Sequence, residues 1–324
     1  MKQKIHIPFS LAFLAITTLT ACNSVLGDND IVKKQGENIE LAFTRSGESS
    51  SATSGSLIFW KERMGDAFTF TAEVNDLTAY ETIKFNTGVP YPKDGAEVSA
   101  TGFSPASMQL SADYQKLSLP PGTVPGTLDV CTASEVIQGN YYRTFNRTME
   151  FGHTLTRITF FAERDHTMEG SRNVSNIKVT IPTNLLAFRW TWDGTRYSAE
   201  QGATPVTPLT PLVFTHPDII VSTNTDEMGT AYLMLPTGNT GVLKGIRIEA
   251  DITPIKETEV EKTIDTTMDI QLYTGDNATP VSTALPGEAY EIAIKFQQNS
   301  FTLIARQNDW ENGGLIYVPV KPGS

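Results

Sequence analysis

Apolar residues recur at every second position along most of this chain, and that period leaves few folds open to it. In "NIKVTIP" Ile177, Val179 and Ile181 alternate with Lys178 and Thr180, and in "GIRIEADI" Ile246, Ile248, Ala250 and Ile252 alternate with Arg247, Glu249 and Asp251. Tyr290, Ile292, Ile294 and Phe296 repeat the pattern, followed by Phe301, Leu303 and Ala305. Successive side chains of a strand point to opposite faces, so this alternation marks half-buried antiparallel strands. No stretch carries a sustained 3.6-residue apolar stripe with caps, which leaves helices few and short. Turn signals separate the runs: Pro92-Lys93-Asp94-Gly95, Pro120-Pro121-Gly122, Asp193-Gly194, Pro236-Thr237-Gly238 and Pro286-Gly287. Many short strands with frequent punctuation predict an all-β chain of sandwich type.

The N-terminus reads differently. Lys2 and Lys4 precede an apolar core from Phe9 to Leu19, which ends in Leu19-Thr20-Ala21-Cys22. The apolar stretch falls short of the roughly 20 residues that a helix needs to cross hydrocarbon, so residues 1–21 read as a secretory signal. The last four residues resemble a bacterial lipobox, in which the cysteine is acylated and the chain is cut just before it. Cys22 then becomes a lipidated N-terminus, and several acyl chains hold the protein at a membrane without a spanning helix. The alternative is an ordinary cleavable signal that happens to carry a cysteine. Losing residues 1–21 removes two lysines and no acid, so the net charge of −11 becomes −13. Such a balance argues against nucleic acid, whose binding rests on basic patches.

Chemistry leaves few marks. With Cys22 consumed, Cys131 is the remaining cysteine and cannot form an internal disulfide. It reads as a small buried apolar residue, since "LDVCTAS" offers neither a base nor an electropositive setting. His153, His166 and His216 form no metal-binding spacing, and His153 in "FGHTLT" reads as a structural histidine bonded to backbone. A nucleophile elbow, a phosphate loop and a dinucleotide turn are all absent from the sequence. Pairs of carboxylates for glycoside hydrolysis are a matter of spatial separation, and any chain with 36 acidic residues offers candidates. The expectation is a protein that is not an enzyme, with no catalytic residue, no metal and no cofactor.

"RWTWDGTRY" is the most distinctive aromatic segment. Asp193-Gly194 is a strong two-residue hairpin turn that sets Trp190 and Trp192 on one face, with Tyr197 across from them. Exposed, these rings would form a platform for stacking sugars. The alternative is that one ring packs in a core and the others cover a sheet face.

The order of motifs is the most specific feature. A lipobox, "IELAFTRSG", "FNTGVPYPKDGAEVSATGFSP", "MEFGHTLTRITFFA", "LMLPTGN" and "LPGEAYEIAIKFQQNSFTLIARQNDWENGG" together resemble the fimbrillin-like proteins, or type V pilins, of anaerobic Gram-negative bacteria. The resemblance runs across nearly the whole mature chain. It implies two tandem transthyretin-like β-sandwich domains after a lipoprotein signal peptide, and a role in pili or surface adhesion. It also implies location at the outer membrane, the cell surface or a fimbrium. The implied partners are other fimbrial subunits, outer-membrane lipid through acylated Cys22, and a host or glycan ligand.

In family members that polymerise, an Arg- or Lys-specific protease removes the N-terminal strand, and a strand from the next subunit fills the groove. Backbone hydrogen bonds then supply affinity and alternate side chains supply specificity. Here Ile39, Leu41 and Phe43 share one face of a first strand at about 37–45, and Arg45 precedes the low-complexity segment "SGESSSATSGS". Proteases favour such small polar loops, so Arg45 is the candidate cleavage site. The alternative is that Arg45 ends a strand that is never removed. Leu315 and Tyr317 in "GLIYVPVKPGS" form the candidate donor strand, which Pro319 cuts short. A polymerising stalk, a tip, an anchor and an accessory role therefore all stay open. The polar "QGNYYRTFNRT" before "LTRITFFA" places the domain boundary at 148/149, giving 22–148 and 149–324.

Overall fold

In a computed structural model, which describes residues 38–308 apart from 46–52, 78–81, 169–171, 206–207, 220–224, 237, 256–258, 276–278 and 299, the chain is all-β. Strands β1 (Asn38–Arg45), β2 (Thr53–Trp60), β3 (Phe70–Leu77), β4 (Ile83–Pro90) and β5 (Val98–Ser104) are followed by five short ones. These are β6 (Gln109–Leu110), β7 (Lys116–Ser118), β8 (Cys131–Ala133), β9 (Ile137–Gly139) and β10 (Thr148–His153). The second half holds β11 (Thr156–Arg164), β12 (Arg172–Ile181), β13 (Arg189–Trp192), β14 (Tyr197–Ala199) and β15 (Leu212–Ile219). It ends with β16 (Asp226–Leu233), β17 (Val242–Pro254), β18 (Lys262–Gln271), β19 (Ala289–Phe296) and β20 (Phe301–Asn308). Only two single-turn 3₁₀ segments interrupt the strands among the described residues.

The strands form four sheets. The largest runs β3-β2-β5-β8-β10-β1-β4, with β9 also on β5, and its end strands β3 and β4 approach each other. The sheet thus curls around its own core, to which Ile39, Leu41, Phe43, Leu57, Phe59, Met149 and Phe151 contribute. "TSGSLIFW" breaks the alternation because β2 is buried on both sides: Leu57 and Phe59 face that core, while Ile58 and Trp60 face a second one. Over the second core lies a small sheet, β14-β13-β7-β6, in which residues 189–191 pair with residues 116–118.

Two further sheets, β16-β11-β19-β20 and β15-β12-β17-β18, enclose the third core. Ile177, Val179, Ile181, Ile246, Ile248, Ala250, Ile252, Tyr290, Ile292, Ile294, Phe296, Leu303 and Ala305 all point into it, as their alternation predicts, with Phe301 packed against it. Two bulges keep that face continuous. Asn176 (φ 52°) sits where the β12–β17 register shifts, its side-chain amide donating to Asp251 Oδ2 at 2.9 Å. Gly245 (φ 74°) marks the shift between β17 and β18. Both positions take the left-handed conformation that an inserted residue requires, and asparagine and glycine adopt it most readily.

Candidate functional site

Strand β1 occupies an unusual place. It runs parallel to β10 on one side, with Ala42 opposite Thr148 and Arg45 opposite Phe151, and antiparallel to β4 on the other. Its sequence neighbour β2 lies elsewhere in the sheet, between β3 and β5. No hairpin therefore ties β1 to the strand that follows it. Lateral hydrogen bonds and side-chain burial hold it in place, and Ile39, Leu41 and Phe43 are 0%, 3% and 0% exposed. The ring of Phe43 meets that of Phe151 edge-on, with centroids 6.2 Å apart. On the outer face Glu40 accepts a hydrogen bond from Asn86 at 2.8 Å. Burying the three apolar side chains contributes about 5–8 kcal/mol by area alone.

Excising β1 would have a defined consequence. Among the described strands, β4 pairs only with β1, so the excision would leave β4 with no ladder and β10 with one open edge. The gap would be one strand wide and lined by three apolar pockets on alternate positions. An incoming extended segment satisfies both edges at once. Arg45 is the last residue of β1 and still pairs with Phe151, so a cut after it severs the whole strand, and the residues a protease must grip are held in the ladder until β1 opens. Cys22, Leu315 and Tyr317 lie outside the described residues.

The aromatic segment is placed in the interior. Trp190 and Tyr197 are fully buried in the core under the small sheet, and Trp192 is partly buried, edge-on to Trp60 at 6.0 Å. Trp190 donates its indole N–H to Thr154 Oγ1 at 2.8 Å, and Tyr197 donates its hydroxyl to the Tyr114 carbonyl at 2.6 Å. Of the two readings of this segment, an exposed sugar-stacking platform of Trp190, Trp192 and Tyr197 or rings packed inward, the burial agrees with the second, because pairing of β13 with β7 turns these rings toward the large sheet.

That placement sets an alkaline limit on stability. Burial, reinforced by Asp113 and Tyr114, pushes the Tyr197 phenol far above the ordinary tyrosine range. Burial and a hydrogen bond to Glu288 do the same for Tyr290. Unfolded tyrosines release their protons near pH 10, whereas these two keep theirs in the folded chain. Their contribution is therefore whole below about pH 10 and is lost as pH rises above it, by about 1.4 kcal/mol per unit for each. Urea midpoints measured between pH 9 and 11 are expected to fall accordingly, and Tyr197→Phe to remove about half of the slope.

One group escaped the sequence reading. Cys131 has a base beside it, because His153 Nδ1 lies 3.3 Å from its sulfur, and the same nitrogen lies 2.9 Å from Asp129 Oδ1. His153 is therefore engaged with two side chains, not held by backbone alone. The base is 22 residues away from Cys131 in sequence, beyond the reach of a local motif. Nearby, a cavity of about 320 Å³ is lined by His153, Arg196, Tyr197, Gln201 and Asn239 among others.

No protein-family model matches the chain, and no curated protein matches it. Several solved structures resemble it. A candidate cell adhesion protein from Bacteroides uniformis shares 13% identity with a TM-score of 0.47, covering 84% of this chain and 98% of that one. A fimbrial assembly protein from Parabacteroides distasonis shares 8% at a TM-score of 0.42, covering 83% and 96%. The tip fimbrial protein Mfa3 from Porphyromonas gingivalis shares 9% at 0.43, covering 85% and 99%. All three are described as cell adhesion or fimbrial proteins.

Proposed function

We propose that this chain is a fimbrillin-like pilus subunit, or an accessory or anchor lipoprotein of the same system, acting in fimbria assembly and cell adhesion. In this reading Cys22 carries lipid at the outer membrane and the chain forms two transthyretin-like domains that meet after β10 and not at 148/149, since Met149 and Phe151 pack in the first core. A cut after Arg45 frees Ile39, Leu41 and Phe43 with their strand. The groove then accepts a donor strand such as that of Leu315 and Tyr317 from another subunit. One observation carries the proposal: β1 lies between β10 and β4 without a hairpin of its own, and β4 has no other ladder among the described strands. A strand so placed can leave without unravelling its sequence neighbour, and its loss creates a demand for a replacement.

The test uses the chain beginning at Asn23, treated with a trace of Arg-specific protease and followed by N-terminal mass and a non-boiled gel. A new N-terminus at Ser46 with a ladder of oligomers, both abolished in Arg45→Ala, is the expected result. Cleavage without assembly, or an intact monomer, would sink the polymerising subunit and leave the anchor or tip role. The rival reading, a monomeric glycan-binding surface lipoprotein, loses its main support with the burial of Trp190 and Tyr197.

A further inference from the structure

Cys131 and His153 stand directly opposite each other in antiparallel β8 and β10, and Asp129 comes two residues before Cys131. Strand alternation sends all three side chains to the same side. The Cys131 sulfur is 3.3 Å from His153 Nδ1 and 3.8 Å from Asp129 Oδ2, and Nδ1 is 2.9 Å from Asp129 Oδ1. We propose that Asp129, Cys131 and His153 form a zinc-binding site, with the fourth position open to water on the Asp129 side.

Zinc binds sulfur at about 2.3 Å and nitrogen or oxygen at about 2.0–2.2 Å in a tetrahedron, which separates the donor atoms by about 3.3–3.6 Å. The sulfur–nitrogen separation of 3.3 Å already lies in that range, and one ligand atom from each of the three residues lies within 4.8 Å of the others, so a turn of the Asp129 carboxylate toward the Cys131–His153 pair would seat the ion. The alternative chemistry for a Cys-His-Asp set is a nucleophilic triad, in which the thiol uses one ring nitrogen and the carboxylate the other. Here sulfur and carboxylate both approach Nδ1. The imidazole cannot relay a proton between them, whereas three donors converging on one point suit a cation.

The donor set also selects the ion. A thiolate, an imidazole and a carboxylate match zinc, while calcium and magnesium prefer oxygen alone. Binding releases the thiol proton to solvent, and thiolate plus carboxylate then neutralise the two positive charges of the ion. A neutral ensemble is what a buried site requires, since the thiol is fully buried and the His153 and Asp129 side chains are 4% and 13% exposed. The scaffold is rigid: Cys131 also pairs with Ser104 of β5, and Thr154 donates from its backbone N–H and its hydroxyl to the Val130 carbonyl. The indole of Trp190 in turn holds that hydroxyl. A bound ion would fasten β8 to β10, whose opposite edge carries β1.

The test uses the full-length chain with Cys22→Ser, which leaves Cys131 as its sole thiol, stripped with chelator and titrated with Co²⁺ and then Zn²⁺. One equivalent of Co²⁺ is expected to give a thiolate-to-cobalt charge-transfer band with tetrahedral d–d bands, and one equivalent of Zn²⁺ to bleach them. Zn²⁺ at a hundredfold excess over Kd should raise Tm by about 5 °C. Asp129→Asn should weaken zinc binding at least about tenfold. Cys131→Ser should lose the charge-transfer band while keeping its circular dichroism. If that variant fails to fold, the band in its parent still decides the matter, because no other thiol can produce it. A cobalt spectrum without thiolate character, or no shift in Tm, would overturn the proposal and leave a hydrogen-bonded trio only.

Discussion

Phe43→Ala is expected to speed cleavage after Arg45 about a hundredfold and to lower the urea midpoint of the whole chain. Phe43 is fully buried, and its ring rests edge-on against Phe151 of the adjacent strand. Cutting a buried phenylalanine back to alanine costs about 3–5 kcal/mol, because the surrounding strands only partly close the cavity. A strand held by lateral contacts opens locally, and its open population rises about tenfold for each 1.4 kcal/mol removed. Where opening is fast relative to cleavage, proteolysis follows that population. Even the lower end of the cost therefore corresponds to about two orders of magnitude. The control is Glu40→Ala on the outer face of the same strand, where the loss is one exposed hydrogen bond and the rate should change less than about threefold. A Phe43→Ala chain with a lowered midpoint but an unchanged cleavage rate would show that the bond after Arg45 is already open while β1 stays docked. Release of the cut strand, not the cut, would then be the guarded step.

How much of this was legible in the sequence depends on the range of the contact. The alternation of Ile39, Leu41 and Phe43, and of Ile177, Val179 and Ile181, reports a local property, the two-residue period of a strand, and all six side chains are buried. Lateral partners leave no such trace. Nothing near residue 42 indicates that Thr148 will lie beside it in parallel, because parallel pairing joins segments without a turn between them. A hairpin near Asp193-Gly194 was readable, but its register was not: Trp192 lies opposite Tyr197 and Asp193 N–H bonds to the Arg196 carbonyl, so Gly194 and Thr195 form the tip in place of Asp193 and Gly194. The burial of Trp190 was not, since it follows from pairing with Leu117 across more than seventy residues. Cys131 and His153 were each read from their immediate neighbours, whereas their chemistry arises from a register between two strands that only the fold defines. Asn176 belongs to the same class: its left-handed conformation is needed only because β17 lies opposite.

Arg306→Met is expected to lower the unfolding free energy by about 3–5 kcal/mol, more than its loss of one ion pair at a surface would suggest. Arg306 is buried on β20 and donates to Glu291 Oε2 from Nε at 2.9 Å and from Nη2 at 2.6 Å. Asn308 donates to the other oxygen of Glu291 at 2.6 Å. Removing the guanidinium leaves a carboxylate about nine-tenths buried, and that uncompensated charge is the source of the loss. The double variant Glu291→Gln with Arg306→Met removes both charges and keeps an acceptor for Asn308, so it should recover at least half of the urea midpoint. If the double variant is no better than the single one, the cost lies in lost packing of the arginine stem and not in charge burial. Under the proposed function the distinction bears on assembly, because β20 is the last described strand and the candidate donor residues Leu315 and Tyr317 follow it in sequence. In a strand-exchanged fibre, tension on the donor would pass into the subunit through the β19–β20 ladder, where Glu291 and Arg306 stand directly opposite each other. Arg306→Met should therefore weaken assembled oligomers toward heat and detergent more than it slows their formation.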